Sequence, residues 1–372
     1  MLDPRVTKLA DLLADHSTRL KPGDNILIEA FDLPAECTAE FVRVAADRGA
    51  NVIVQTYQAP VQRALLQNIT ESNAEIYGKV DGARMDEIDA YFGLRGTNNF
   101  AEGSDVPAEK NKLWSKHYQT PVHFDRRVTQ TRWVVLRWPS PSMAQQAGMS
   151  TAAFEDFYFK VCTADYPKME KAVEPLRELM ANTDRVRIVG PGTDLTFSIK
   201  GVGAVPCTGG RNIPDGECFT APVRDSVEGT LHYNTSTLNQ GKQFRNPKLT
   251  LSRGKIVDVD AGSMTQAMND ILDTDEGARY IGEWSFGFNP YVLHPMLDTL
   301  FDEKIAGSFH FTPGNAYEEA DNGNRSSVHW DMVCIQREDY GGGEIWLDDV
   351  LVRKDGIFVL PQLTALNPEN LG

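Results

Sequence analysis

His329 and Asp331 stand one residue apart in the segment SSVHWDMV. In an extended strand, positions i and i+2 point to the same face, so one divalent cation could reach this imidazole and carboxylate together. Neutral imidazole and ionised carboxylate suit borderline divalent metals. His310 lies in a similar β-like segment, SFHFTPG. Two carboxylates have unusual surroundings: Glu217 in NIPDGECFTAP and Glu283 in IGEWSFGFNP, both among Gly, Pro and aromatic residues. A carboxylate buried in such apolar, turn-rich sequence needs a partner, and a metal ion is one.

Taken singly, each of these residues also fits an ordinary structural role: a satisfied histidine, a loop-capping glutamate. Cys218, beside Glu217, fits a small buried hydrophobe. His16, His117, His123, His232 and His294 have undistinguished neighbours. Other chemistries find no support. Gly190-Pro191-Gly192, Gly209-Gly210 and the run at 341–343 lack the strand–GxGxxG–helix context of a dinucleotide site, and there is no GxxxxGK[ST] loop. Neither a GxSxG elbow nor a local cysteine-nucleophile signature occurs.

The elements that must position these residues fall into two textures. Residues 6–14 are amphipathic, 25–30 an apolar run, 37–47 helical and 51–56 apolar again, the rhythm of parallel βαβ units. Strands at 87–94 and 132–138 continue it, with 98–116 partly helical, and helices from 150 and over 166–180 close the domain. From Arg185 the pattern changes to short strands and tight turns: RVRIV, a turn at 191–194, LTFSIKG; a hairpin over 248–259 turning at Arg253-Gly254-Lys255; and two strands over 344–360 around Lys354-Asp355-Gly356. One helix, 261–272, interrupts this half. The expectation is an α/β domain with an open, largely parallel sheet over 1–183, and a β-rich α+β domain over 184–372 that carries the metal site.

The bulk properties agree with a folded globular chain of 372 residues, 41% hydrophobic and 24% charged. A net charge of −15 disfavours nucleic acid and anionic membrane as partners. Five cysteines, an odd number with no CxxC pair, indicate neither a disulfide framework nor a thiolate zinc site. No secretory leader precedes Lys8 and no apolar run reaches about eighteen residues, so a cytoplasmic protein is expected.

Five blocks in one order carry a more specific signal: WPSPSMAQQAGMS (138–150), IPDGECFTAPVRDSVEG (213–229), GEWSFGFNP (282–290), FDEKIAGSFHFTPGNAY (301–317) and SSVHWDMV (326–333). In them the chain resembles the aminopeptidase T and aminopeptidase S family of metallo-aminopeptidases. That resemblance implies Glu217, Glu283, His310, His329 and Asp331 as metal ligands, and Glu303 and Tyr317 as further active-site residues. It implies two divalent ions, such as zinc, cobalt or manganese, about 3.5–4 Å apart and sharing an activated water. Glu303 would be the general base and Tyr317 the oxyanion donor, acting on the N-terminal bond of short peptides within a homodimer. The segment after His310, Phe-Thr-Pro-Gly, departs from the family's usual small apolar run, which bears on the substrate pocket. A rival reading is a ring-cleaving dihydroxypyridine dioxygenase with one non-haem iron, in which a histidine replaces the second glutamate; Glu283 is intact here. A non-catalytic metal- or peptide-binding protein is a further alternative.

Overall fold

The computed structural model describes residues 2–372. The chain forms two compact units, one containing the chain up to Thr163 together with Gly209–Ile213, the other Ala164–Thr208 with Pro214–Gly372.

In the first unit, strands β1 (Asn25–Phe31), β2 (Asn51–Tyr57), β3 (Ala90–Arg95) and β4 (Arg132–Arg137) are all parallel, in the order β2-β1-β3-β4, and the short strand Asn212–Ile213 joins parallel to β4. Ile26 to Ala30 in β1 are buried without a break, as expected for a central parallel strand covered on both faces. β2, at the edge, leaves Ile53 and Val54 exposed. Helices Pro4–Leu12 and Ala35–Asp47 present Val6, Leu9 and Ala10, and Phe41, Val44 and Ala45, to the interior. The expected strand at 87–94 begins only at Ala90, because residues 86–88 finish the turn after the helix Glu71–Met85.

The second unit opens with the helix Tyr166–Ala181, capped by Asp165, whose side chain accepts from Lys168 N at 3.0 Å. Its buried residues, Tyr166, Met169, Val173, Leu176 and Met180, follow helical spacing and pack on strands Val205–Cys207 and Glu217–Thr220 and on the turn Pro361–Leu366. That apolar stripe goes with the helix's place in the second unit.

Two antiparallel sheets form the body of the second unit. The larger has eight strands and includes the expected hairpins Arg185–Gly190/Thr193–Ser198 and Lys248–Ser252/Lys255–Asp260. The tail contributes three strands to it, not two: Glu344–Leu347, Val350–Lys354 and Ile357–Phe358. Asp348 and Asp349 both adopt positive φ, 45° and 67°, and make an extra tight turn. The smaller sheet runs Val333–Ile335, Ser308–Pro313, Ile281–Gly287, Glu217–Thr220, Val205–Cys207. Every residue of Ile281–Gly287 and Ser308–Pro313 is buried. Alternation divides their side chains: Trp284, Phe286, Phe309 and Phe311 on one face, Glu283, Ser285, His310 and Thr312 on the other. The aromatic face meets Phe197 of the larger sheet, 5.2 Å from Trp284 and 5.3 Å from Phe311 between ring centroids. Each such buried ring contributes roughly 1.5–3 kcal/mol, enough to hold the polar face in register. Among the described residues no helix is long and apolar enough to cross a membrane.

Candidate metal centre

Polar side chains of the smaller sheet converge on its second face. A β-bulge lies between Ile281 and Glu283, and bulges re-aim the side chain that follows. Glu283 Oε1 is 2.8 Å from His310 Nε2, while Glu283 Oε2 is 3.6 Å from His329 Nε2. Glu217 comes from the neighbouring strand, its Oε2 3.5 Å from His310 Nε2 and accepting from Ser285 Oγ at 3.1 Å. Asp331 Oδ1 is 3.3 Å from His329 Nε2 and accepts from Thr312 Oγ1 at 2.7 Å. All five sequence-nominated ligands are thus brought together. Glu217, Glu283 and His310 offer ligand atoms within 4.8 Å of one another, and so do Glu283, His329 and Asp331, with Glu283 common to both groups.

His329 and Asp331 meet without the regular strand expected of them. His329 makes only an isolated bridge to Gly314, and the ladder resumes at Val333. Its ring is held instead by the carbonyl of Asn315, 2.9 Å from Nδ1. A carbonyl can only accept, so Nδ1 carries the hydrogen and Nε2 is turned to the carboxylates, the arrangement typical of a metal-ligating histidine.

Glu303 and Tyr317 lie at the margin. Glu303 caps the short helix Thr299–Asp302 and is tied to the cluster through its neighbour Lys304, whose ammonium is 2.6 Å from Glu303 Oε1, also bonds Glu217, and lies 3.7 Å from Asp215 Oδ1. The Tyr317 ring packs on His329 at 4.6 Å and Phe219 at 5.9 Å, and the residue is 46% exposed. Sequence reading missed Lys304, Asp215, Ser285 and Thr312. Lys304 had one usable signal, a lone cation between Glu303 and the apolar pair Ile305-Ala306. Cys218 points to the opposite face, paired in register with Phe286. Cys207 groups with Asp215 and Glu217, where Lys304 already supplies the cation.

The electrostatics call for positive charge. Five carboxylates, Asp215, Glu217, Glu283, Glu303 and Asp331, share the centre with one lysine, Lys304, which contacts Asp215, Glu217 and Glu303. Burial alone would lower the pKa of His310, but Glu217 and Glu283 outweigh it and raise it to about 9. Burial likewise opposes, and Asp331 and Glu283 overcome, at His329, which rises to about 10. Burial pushes Glu283 up, and pushes Glu303 up to about 8 against the pull of Lys304. Asp331 is held well below the usual range despite its burial, by His329 and by Thr312. Lys304 stays firmly protonated because Glu217, Glu303 and Asp215 outweigh its burial. Glu283 Oε2 is buried with no hydrogen-bond partner among the described residues. Excess buried carboxylate, imidazoles presenting Nε2 and an orphaned oxygen at the shared residue together fit a divalent metal centre.

The thermophilic metalloprotease (M29) family model matches residues 2–358. Aminopeptidase 2 of Geobacillus stearothermophilus is 35% identical over 414 aligned positions, covering 95% of each chain. Aminopeptidase T of Thermus aquaticus is 34% identical over 175 residues, which span 40% of this chain and 42% of that one. The match thus spans less than half the length of that relative. Among solved structures, wild-type AmpT from Thermus thermophilus superposes with a TM-score of 0.76 at 22% identity, over 96% of this chain and 99% of that one. The 2,5-dihydroxypyridine dioxygenase of Pseudomonas putida KT2440 superposes with 0.62 at 15% identity, over 98% and 99%. Both likenesses establish the fold, the open parallel sheet with a β-rich second part.

Proposed function

The chain belongs to the thermophilic metalloprotease (M29) family, and from that premise we propose that it is a metal-dependent aminopeptidase removing the N-terminal residue of short peptides. The observation that carries the reading is Glu283, whose two oxygens face different histidines. Glu217, Glu283 and His310 would hold one divalent ion, and Glu283, His329 and Asp331 a second; zinc, cobalt and manganese all suit this donor set. Bound there, such ions polarise a scissile carbonyl and lower the pKa of the attacking water.

The remaining steps fall to the chain's own groups. Glu303, pushed up to about 8 by burial and restrained by Lys304, is suited to take a proton from water and deliver it to the leaving amine near neutral pH. Lys304 fixes the Glu303 carboxylate by a 2.6 Å contact. Tyr317, a phenol whose ring lies tilted against His329, would donate a hydrogen bond to the tetrahedral oxyanion. A homodimer, as the family resemblance implies, completes the reading, with a cytoplasmic location supported by five free cysteines, four of them buried.

Fold alone does not choose between hydrolase and dioxygenase, since both kinds of relative share it. Metal content and turnover choose. The expected result is two divalent ions per chain and release of amino acid from aminoacyl-p-nitroanilides, abolished by chelation and by Glu283→Gln. One iron per chain, with oxygen uptake on a dihydroxylated pyridine and no peptide cleavage, would overturn the proposal.

A further inference from the structure

The first unit contains a cavity of about 370 Å³ that has no part in the chemistry above. Its floor is made by Phe31, Tyr57 and Arg95, the last residues of β1, β2 and β3. The strand order β2-β1-β3-β4 means that the chain builds outward on one side of β1 and then on the other. The β1/β3 junction is therefore the switch point of the sheet, and open α/β sheets bind ligands at the carboxyl ends of strands beside that point.

Two aromatic stacks line the cavity. Phe31 and Tyr57 lie 4.3 Å apart at 15°, and Trp114 and Tyr118 lie 3.9 Å apart at 20°. Arg95 lies over the Phe31 ring at 4.1 Å. Beneath them Glu29, 1% exposed, accepts from Tyr57 Oη at 2.9 Å and from Tyr91 Oη, with Arg95 Nη2 3.5 Å away. Gly93, directly opposite Glu29 in the sheet, leaves the room for this. A Cβ there would stand 2.9 Å from the Tyr91 ring and 3.4 Å from Arg95 Nε.

The charge balance is uneven. Glu29 and Asp81 are set against Arg84, Arg95 and Arg127, with Arg84 3.3 Å from Asp81 and 3.9 Å from Glu29. Arg127, which also lines the cavity, has no acidic partner within ion-pair distance among the described residues. Its Nε bonds His123 Nδ1 at 3.2 Å, and its Nη1 is buried without an acceptor. Burial lowers the His123 pKa to about 4, so that ring brings no charge of its own at neutral pH. One cation is left in excess.

We propose that this cavity binds a small aromatic monocarboxylate, its ring between the aromatic walls and its carboxylate on Arg127 and Arg95. A single surplus positive charge suits a monoanion, and the guanidinium fork matches a carboxylate. A nucleotide phosphate is disfavoured, because the link from β1 to the helix Ala35–Asp47 is Asp32-Leu33-Pro34, with no glycine to bring backbone amides onto a phosphate. The volume lies within the range of small-molecule sites and accommodates one ring system. The proposal is independent of the aminopeptidase reading.

Calorimetric titration of the metal-loaded full-length protein with phenylacetate, phenylacetamide and adenosine monophosphate tests it. Phenylacetate should bind at least tenfold more tightly than either of the others. Arg127→Gln should weaken it at least tenfold, and Gln62→Trp, which fills the cavity from its half-buried rim, should abolish it, whereas Glu283→Gln should leave it unchanged. Binding that survives both cavity variants, that disappears in Glu283→Gln, or that favours the neutral amide or the nucleotide would overturn the assignment, as would no binding at all. Should circular dichroism show Arg127→Gln unfolded, Gln62→Trp decides alone.

Discussion

Lys304 holds Glu303, its neighbour in the chain, by a 2.6 Å contact, and with the same ammonium bonds Glu217 from another strand. One buried cation thus orders both a proposed ligand carboxylate and the carboxylate proposed as base. Lys304→Gln should remove the opposition to burial at Glu303, whose pKa then rises further. The acid limb of kcat/KM is expected to move to higher pH by about one unit. The unpaired carboxylates left behind should cost about 3–5 kcal/mol of stability. A pH–rate profile alongside thermal denaturation checks both, and an unmoved acid limb refutes the link.

Glu303→Gln is nearly isosteric and cannot take a proton. It should lower kcat by about 10²–10⁴-fold while elemental analysis finds the metal content unchanged, because Glu303 belongs to neither ligand group. Loss of metal together with activity would make Glu303 a ligand instead.

The imidazoles govern how the empty protein responds to pH. His310 at about 9 and His329 at about 10 both stand above the ordinary value of 6.5. Raised folded-state values stabilise the metal-free protein fully below pH 6.5, and that contribution is lost as pH rises through about 9–10. A metal ion must displace those protons, so its apparent affinity should increase with pH, by up to about two logarithmic units per pH unit around neutrality. Competition with a chromophoric chelator between pH 6 and 8 measures the slope. A flat profile would mean that the imidazoles are not ligands.

Gly314 has φ +111°, and a Cβ there would stand 2.0 Å from the Val328 carbonyl oxygen. Because Gly314 bridges to His329, Gly314→Ala should both destabilise the fold by more than about 1 kcal/mol and weaken metal binding at least tenfold. Gly210→Ala, with open space at the Cβ and no positive φ, should do neither. Thermal melts and metal titration of the two variants separate a local steric effect from a general one.

The two textures of the chain were legible because strands at the centre of a parallel sheet are unbroken apolar runs and hairpins announce their turns. The helix Glu71–Met85 was not. It buries Ala74, Gly78, Asp81 and Gly82 and exposes Ile76, Tyr77 and Val80, so it shows no apolar stripe of helical period. The five nominated ligands were recognisable through the order of their blocks, and the structure brings them to one place. Lys304 was overlooked for a physical reason: lysine is ordinarily a solvated residue, and its apolar neighbours were a weak signal against that. Its burial is balanced by Glu217 and Asp215, which come from a distant part of the chain, so local sequence does not encode it.

The ligand groups are drawn from positions far apart along the chain, Glu217, Glu283 and His310 first, His329 and Asp331 last. A polypeptide that extends only as far as Val328 holds the first group, Glu217, Glu283 and His310, but lacks His329 and Asp331 of the second. On the proposed assignment, a chain that ends before His329 would therefore lack the second ligand group, and with it the two-ion hydrolytic centre.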